Sequence, residues 1–371
     1  MKEKVRIVIN CLRNLKKVFI FREFFIFYLE KIAQLRKLPE NKRYLANAQR
    51  GFVGGYCSRN FLFYSPVVMK QNIKEISQKV FMDAPSRRLY VLVFQRHMYS
   101  SHFIPGWDKY YDPEKIFSHR LAKIKSGILD EVGFEGNFFT VKRKTNGHYI
   151  LNLTDKYSYK LPINWFEVSV FSFKLGLKEL DEKYLIYIKD RYLIDAGAFV
   201  GDSSIILAEY TNKKVLAVEP HPVNYDLLKK TVVMNKLQNK IETFNFALDK
   251  RSGEVKISGG GAGSRTGQPE GNLRIPAITL NRLTGKKYRK VGLIKMDVEG
   301  FEMQILLGSK NIIQNDKPIL LISIYHSGEQ FVNIPLYIME KYSDIYEYRF
   351  IDCNPVHPLS EKVLLCLPKD I

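Results

Sequence analysis

Cysteine is scarce in this sequence: Cys11, Cys57, Cys353 and Cys366 are the four in 371 residues. No two are close enough for a CxxC pair, which excludes a zinc ribbon and a thioredoxin-like motif, and four in this length make no disulfide framework. That usage fits a reducing compartment and predicts a cytoplasmic protein. Long hydrophobic runs are also missing. The longest near the start, Val18–Phe21 and Phe24–Leu29, are split by Arg22 and Glu23, so nothing reaches the roughly 18 uncharged apolar residues of a spanning helix. No apolar segment ends in a small-residue cleavage site, so no signal peptide is expected. Acids are in short supply, 38 Asp and Glu against 58 Lys and Arg, for a net charge of +20. Such an excess favours nucleic acid, a membrane surface or a phosphate-bearing substrate without choosing among them. Apolar residues at 46% and charged residues at 26% exclude a disordered, collagenous or coiled-coil chain. The length predicts two domains, or one with an appended region.

The first 180 residues read as an accessory α+β region. Residues 1–37 hold ten Lys and Arg against three Glu, with no Pro or Gly, and predict a helix. Phe19, Phe21, Phe24, Phe25, Phe27 and Tyr28 give it an aromatic character compatible with peripheral contact at the inner membrane face. A terminal helix packed on its own protein is the plainer reading. Leu89–Phe94 predicts a buried strand. His97, His102 and His119 do not share a helical face and predict no metal site. Asn146-Gly147 between two alternating runs predicts a hairpin over 138–153. Residues 162–185 predict a helix.

From about 181 to 371, short apolar runs alternate with helical patterns. Strands are expected at 192–195, 214–219, 241–248, 291–297, 318–324, 346–352 and 362–367. The predicted fold is a doubly wound, mostly parallel seven-stranded α/β sheet. The last two strands lack a helix between them and predict one antiparallel strand at the sheet edge. Six of the thirteen residues in 259–271 are Gly, which predicts a loop able to move, either an inert linker or a lid.

The chemistry clusters at strand ends, where open α/β sheets bind ligands. Asp195-Ala-Gly-Ala-Phe-Val-Gly-Asp-Ser203 closes the first of these strands and opens a helix. Gly197 allows a tight turn, Gly201 lets the helix start close by, and the helix amides face a ligand. The glycines lack the G-x-G-x-x-G spacing of a pyrophosphate loop. Asp195 would repel a pyrophosphate and suits the amino group of S-adenosylmethionine. Glu219, eighteen residues after Gly201, ends the second strand. It can accept from both hydroxyls of a ribose, and Pro220 stops the strand there. Asn245 and Ala247 are placed to line the adenine side. Asp297 and Glu299 end the fourth strand, and His326 after the fifth is a candidate general base.

These pieces resemble FkbM-type S-adenosylmethionine-dependent methyltransferases. The resemblance covers about half the chain and rests on Ile194–Ser204, Val218–Pro222 with Asn235 downstream, Ala247–Asp249, and Ile294–Glu302 with its Asp-Val-Glu-Gly tetrapeptide. It implies a class I methyltransferase fold, S-adenosylmethionine as cofactor, and methyl transfer, usually to an oxygen of a glycan sugar or a polyketide-like product. The sequence departs from the family at Leu280-Asn281, where Leu-Asp is common, and at Ile324-Tyr325-His326, where Glu-x-His is common. No metal is expected from that strand end. In this assignment Asp195, Gly197, Ala198, Gly201, Asp202, Ser203, Glu219, Pro220, Asn245, Ala247 and Asp297 hold the cofactor. Asp297 or Glu299 orients the acceptor, and His326 deprotonates it. The expected partner is a hydroxyl-bearing glycan or glycolipid intermediate. No nucleic acid is expected, because Asp-Val-Glu-Gly stands where base-directed enzymes carry Asn/Asp-Pro-Pro-aromatic. A nucleic-acid methyltransferase, suggested by the charge, and a non-catalytic membrane-surface adaptor remain the alternatives. An NAD oxidoreductase ranks third on glycine spacing.

Overall fold

Five stretches in the second half of the chain are apolar on both faces, and each becomes a strand covered on both sides. The structure, a computed structural model, describes residues 73–98, 141–143, 147–152, 158–171, 173–258, 265–266, 273–285, 287–353 and 360–371. The expectations for residues 1–37, for His102 and His119 and for most of the glycine-rich segment fall outside these residues, as does the side chain of His97.

Among the described residues two helices come first, α1 (Ile73–Val80) and α2 (Ala84–Met98). A small antiparallel sheet follows, made of β1 (Val141–Arg143), β2 (Tyr149–Asn152) and β3 (Ser158–Leu161). Its first two strands pair Val141 with Leu151 and Arg143 with Tyr149, as the hairpin signal predicts. Next are α3 (Val168–Phe171), a 3-10 turn at Lys174–Glu179, and α4 (Glu182–Lys189). The alternating region then supplies β4 (Tyr192–Ala196), α5 (Asp202–Leu207), β5 (Val215–Val218), α6 (Pro222–Met234) and β6 (Ile241–Phe244). An insertion of β7 (Ala247–Leu248), β8 (Gly253–Ser258), β9 (Arg265–Thr266) and β10 (Leu273–Ile278) forms a separate sheet in the order β7-β10-β8-β9. The chain continues through α7 (Leu280–Thr284), β11 (Val291–Met296), α8 (Glu302–Leu307), α9 (Lys310–Asp316), β12 (Ile319–Ser323) and α10 (Gly328–Tyr342). It ends with β13 (Tyr346–Asp352) and β14 (Lys362–Pro368).

The main sheet has seven strands in the order β13-β14-β12-β11-β4-β5-β6. The five from β12 to β6 are parallel, and β14 runs antiparallel to both neighbours. The antiparallel strand therefore sits one place inside the edge and not at it. The order of strands reverses between β4 and β11, which makes their carboxyl ends the place for a ligand.

Three other expectations are corrected. Leu89–Phe94 lies within α2 and is not a strand. Asp83 starts that helix by accepting from the Ser86 amide at 2.6 Å, and Leu89, Tyr90, Val93 and Phe94 bury one face. A six-residue apolar run reads alike for a buried strand and a buried helix. The single helix expected over 162–185 is broken. Lys174, Leu175 and Gly176 turn left-handed, with φ of 50°, 59° and 86°, and a Cβ at Gly176 would strike the Ile351 side chain. The strand expected over 241–248 stops at Phe244, and Ala247–Leu248 joins the smaller sheet.

Two apolar cores sandwich the main sheet. One joins α1, α2 and α10 to Ile194, Leu216, Ile294 and Ile322. The other joins Leu151, Tyr159, Leu161, Phe166 and Phe171 to Leu193, Ala217, Leu293 and Leu321. The first core is tied to α2 by Tyr90, whose ring stacks on Phe331 at 4.4 Å and whose hydroxyl donates to the Phe331 carbonyl at 2.6 Å. Phe331→Ala should therefore cost about 3–5 kcal/mol of stability in chemical denaturation. A loss below about 1 kcal/mol would show that α2 does not pack there.

Candidate active site

The cleft at the sheet reversal encloses about 950 Å³ of space open to solvent. Its floor is the turn after β4. Gly197 has φ +78°, and a Cβ there would collide with the Asp297 carbonyl oxygen, so the turn lies flat against the end of β11. The amides of Gly197 and Ala198 both donate to the Val218 carbonyl at 3.0 Å, and that of Phe199 donates to Glu219 Oε2 at 2.9 Å. The β4 turn and the β5 tip are thus one unit. Gly201, at φ +89°, faces away from the cleft, and a Cβ there would stand 2.7 Å from Leu228 on α6.

Glu219 is buried, 5% exposed, and lines the cleft. Its Oε1 accepts from the His221 amide at 2.9 Å and from Asn224 Nδ2 at 3.4 Å. Burial drives its pKa up, the His221 and Phe199 amides pull it back, and it stands at about 7. A buried carboxylate with a raised pKa on the lining of a cleft marks a candidate functional group. Asn245 does not line the cleft. Its Nδ2 donates to the carbonyls of Glu219 and Pro220 at 2.9 and 3.0 Å and so fixes the turn in which Glu219 sits. Pro220 and Ala247 do line the cleft, as do Asp202 and Ser203.

Asp195 is the main departure. It is fully buried, with Oδ2 accepting from Ser203 and Ser204 at 2.6 Å each and Oδ1 lying 3.1 Å from the Lys295 ammonium. Its oxygens are turned into the protein, so the acid at the donor end that faces the cleft is Asp202. Burial raises the Asp202 pKa, and Lys295 opposes the rise. Lys295 also donates to the Gly197 carbonyl at 2.9 Å. Burial works against its charge, but Asp195, Asp297 and Asp202 keep it protonated above the ordinary lysine range.

The opposite wall is acidic. Asp297 and Glu299 line it from the end of β11, and Glu167 and Glu361 face them with Tyr325. The Tyr325 hydroxyl donates to Glu361 at 2.9 Å and approaches Asp297 at 3.5 Å. Burial first, then repulsion among these carboxylates, raises the pKa of both Glu361 and Glu167. Glu299 and Glu361 both sit at positive φ, 54° and 56°, conformations that surrounding structure must hold in place. His326 lies behind the wall, with Nδ1 2.9 Å from Glu302, and Nε2 3.3 Å from Asp297 and 3.9 Å from Glu299. Burial alone would lower its pKa, but Glu302, Asp297 and Glu299 carry it up to about 10. The structure sets this imidazole behind Asp297 and Glu299 and not on the lining of the cleft.

The structure thus gathers Gly197, Asp202, Ser203, Glu219, Pro220, Ala247, Asp297 and Glu299 around one cleft. It sets Asp195, Ala198, Gly201, Asn245 and His326 behind that lining. Sequence reasoning missed Lys295, Glu167, Tyr325 and Glu361. A lysine inside an otherwise apolar central strand is a readable signal, since such a charge must be paired. Nothing local marks Glu167 or Glu361.

Residues 195–350 match the family model described as "Methyltransferase FkbM domain". This segment is a methyltransferase FkbM domain. The chain is 27% identical over 146 residues to the hexuronic acid methyltransferase AglP of Haloferax volcanii, a match covering 38% of this chain and 56% of that protein. It is 24% identical over 155 residues to the methyltransferase sdnD of Sordaria araneosa, covering 32% and 60%. The crystal structure of a methyltransferase FkbM from Methylobacillus flagellatus superposes with a TM-score of 0.50 at 18% identity, over 80% of this chain and 58% of that one. The chain thus spans a little under two thirds of each of these relatives, and the crystal structure supports the fold.

The cofactor of the FkbM domain is S-adenosylmethionine, and the cleft fits it. The Gly197 turn leaves no room for a side chain, and Glu219 is a desolvated acceptor at the β5 tip. Hydroxyl donors favour the ionised carboxylate, so binding should draw the Glu219 pKa below about 7. Affinity for S-adenosylhomocysteine should then rise between about pH 6 and 8. Calorimetry across that range should show the rise in the wild type and a flat profile in Glu219→Gln. A flat wild-type profile would remove Glu219 from the donor site.

Proposed function

We propose that this protein is an S-adenosylmethionine-dependent O-methyltransferase that methylates a hydroxyl of a sugar, a glycan or a related natural product. One observation carries the reading: the Gly197 turn and the buried Glu219 share a single cleft with a wall of carboxyl groups. When bound, S-adenosylmethionine supplies an electrophilic methyl group on a sulfonium. Glu219 accepts from the donor's ribose, and the Gly197 turn, Asp202 and Ala247 shape the rest of its seat. Asp297 and Glu299 orient the acceptor hydroxyl at the end of β11. Fixing two reactants in line can remove roughly 7–11 kcal/mol of barrier, so positioning is the main task of these residues.

The proton of the acceptor needs a base. His326 lies 3.3 Å behind Asp297 and off the lining of the cleft, so it serves as a positioning residue there. Glu361 and Glu167 are raised by burial first, then by Glu167 and Asp297 in the one case and by Asp202 and Asp297 in the other, and are the groups suited to take a proton near neutrality. The cleft disfavours an anionic group at the acceptor: among the described residues its lining holds six acids and one base, Lys295, whose ammonium is taken by Asp195 and Gly197. The name of the Haloferax relative suggests a sugar.

Glu167, Val170 and Leu175 reach the cleft from before residue 181. This supports a division in which residues 1–180 shape acceptor choice and 181–371 bind the donor and carry out the transfer. We place the protein in the cytoplasm, with residues 1–37 able to rest on a membrane carrying a glycolipid intermediate. No described helix is long and apolar enough to cross a membrane.

Incubation with S-adenosylmethionine and a panel of sugars and glycans, read by mass spectrometry, should reveal a product heavier by one methylene. Failure to bind the donor at millimolar concentration would sink the reading. Steep salt-dependent RNA binding would revive the nucleic-acid alternative. Glu219→Ala should weaken donor binding more than ~10-fold. Glu361→Gln should lower turnover by roughly 10²-fold or more, with S-adenosylhomocysteine affinity unchanged. An unchanged rate at saturating acceptor would clear Glu361 of the proton-accepting role.

A further inference from the structure

Behind the acidic wall, three side chains of metal-binding type converge from three different elements. Asp297 follows β11, Glu302 opens α8, and His326 follows β12. One ligand atom from each lies within 4.8 Å of the other two. Glu299 adds an oxygen 3.9 Å from His326 Nε2. The frame is fixed by the backbone: Glu302 Oε1 accepts from the amides of Val298 and Gly300 at 3.0 and 3.4 Å. Gln330, on α10, donates to the Gly300 carbonyl.

The imidazole is the second observation. Its side chain is 3% exposed, and neither ring nitrogen makes an aligned hydrogen bond, although carboxylate oxygens lie within ion-pair distance. Glu302 Oε2 is likewise buried without one. Buried polar atoms left in this state are few in native structures and call for a reason, a bound ion among them. The donor set points the same way. Asp297, Glu299 and Glu302 bring three carboxyl groups around one imidazole.

We propose that Asp297, Glu302 and His326, with Glu299 at the rim, form a binding site for one divalent metal ion. An imidazole set among carboxylates suits Mn²⁺ or another first-row ion better than Mg²⁺ or Ca²⁺, which prefer oxygen throughout. The site opens toward the cleft through Asp297 and Glu299, whose side chains are 26% and 28% exposed. The absence of an acid two residues before His326 argued against a metal in the sequence. In the fold the acids come from the neighbouring strand end and helix instead. The role of the ion rests on the methyl-transfer reading: it gives an acceptor oxygen a cation to meet within an acidic wall and eases loss of the hydroxyl proton.

The test uses the full chain, stripped of metal and titrated with Mn²⁺. Binding is followed by calorimetry and by electron paramagnetic resonance. Saturable uptake of one Mn²⁺ per chain is expected, with nitrogen hyperfine coupling from His326. His326→Gln should abolish the coupling, and Asp297→Asn should weaken uptake more than ~10-fold, both in protein of unchanged circular dichroism. Absence of saturable uptake by the wild type, or uptake without nitrogen coupling, overturns the site, and those two readings need no variant to fold. Unaltered affinity in folded variants also overturns it. Wild-type protein that binds Mn²⁺ but not S-adenosylhomocysteine would sink the methyl-transfer reading and keep this site, and the converse would do the reverse.

Discussion

The ion pair between Lys295 and Asp195 is the constraint on which the rest of the cleft depends. Both groups are buried beneath the turn that ends β4, 3.1 Å apart. Asp195 takes two serine hydroxyls from the start of α5, and Lys295 takes the Gly197 carbonyl. One charge pair thereby locks two adjacent central strands, the turn between strand and helix, and the first helical turn. Removing one partner would leave an uncompensated buried charge, typically a loss of about 3–5 kcal/mol. The turn so held is the one that presents the Phe199 amide to Glu219, so the floor of the cleft is set by a pair buried beneath it.

The charge of the whole chain and the charge of its cleft have opposite signs. The sequence carries +20, but the described lining of the cleft is mostly acidic. Net charge governs long-range attraction and association, whereas recognition at a site depends on the few groups within contact distance. The basic excess therefore says little about the acceptor. The acids have a cost of their own, since burial and mutual repulsion raise the pKa of Glu167 and Glu361. A site that tolerates such crowding has a use for proton acceptors or for a cation among them.

The sandwich architecture explains why the first part of the chain matters to the second. Leu151, Tyr159 and Phe171 share an apolar core with Leu193 and Leu293, and Asn235, just past the end of α6, exchanges hydrogen bonds with both backbone groups of Lys160, at 3.0 and 2.8 Å. The β2–β3 hairpin and α3 therefore cannot shift without disturbing the main sheet and the end of α6. That coupling is what holds Glu167 against the end of β11, a residue distant in sequence from everything else in the wall.

By itself, the sequence determined the seven strands, the parallel majority and the two strand-end motifs at 195–203 and 297–302, because unbroken apolar runs and glycines at turns are local signals. It also determined Glu219, a lone acid at the tip of an apolar strand. Only the tertiary structure decided that Leu89–Phe94 is helical, because the choice rests on what those side chains pack against. It also decided that Asp195 faces inward while Asp202 faces the cleft, a matter of a turn's path. Tyr325, Glu361 and Glu167 meet at one wall through the order in which strands pair and cores close, and pairing order joins residues that no spacing along the chain relates.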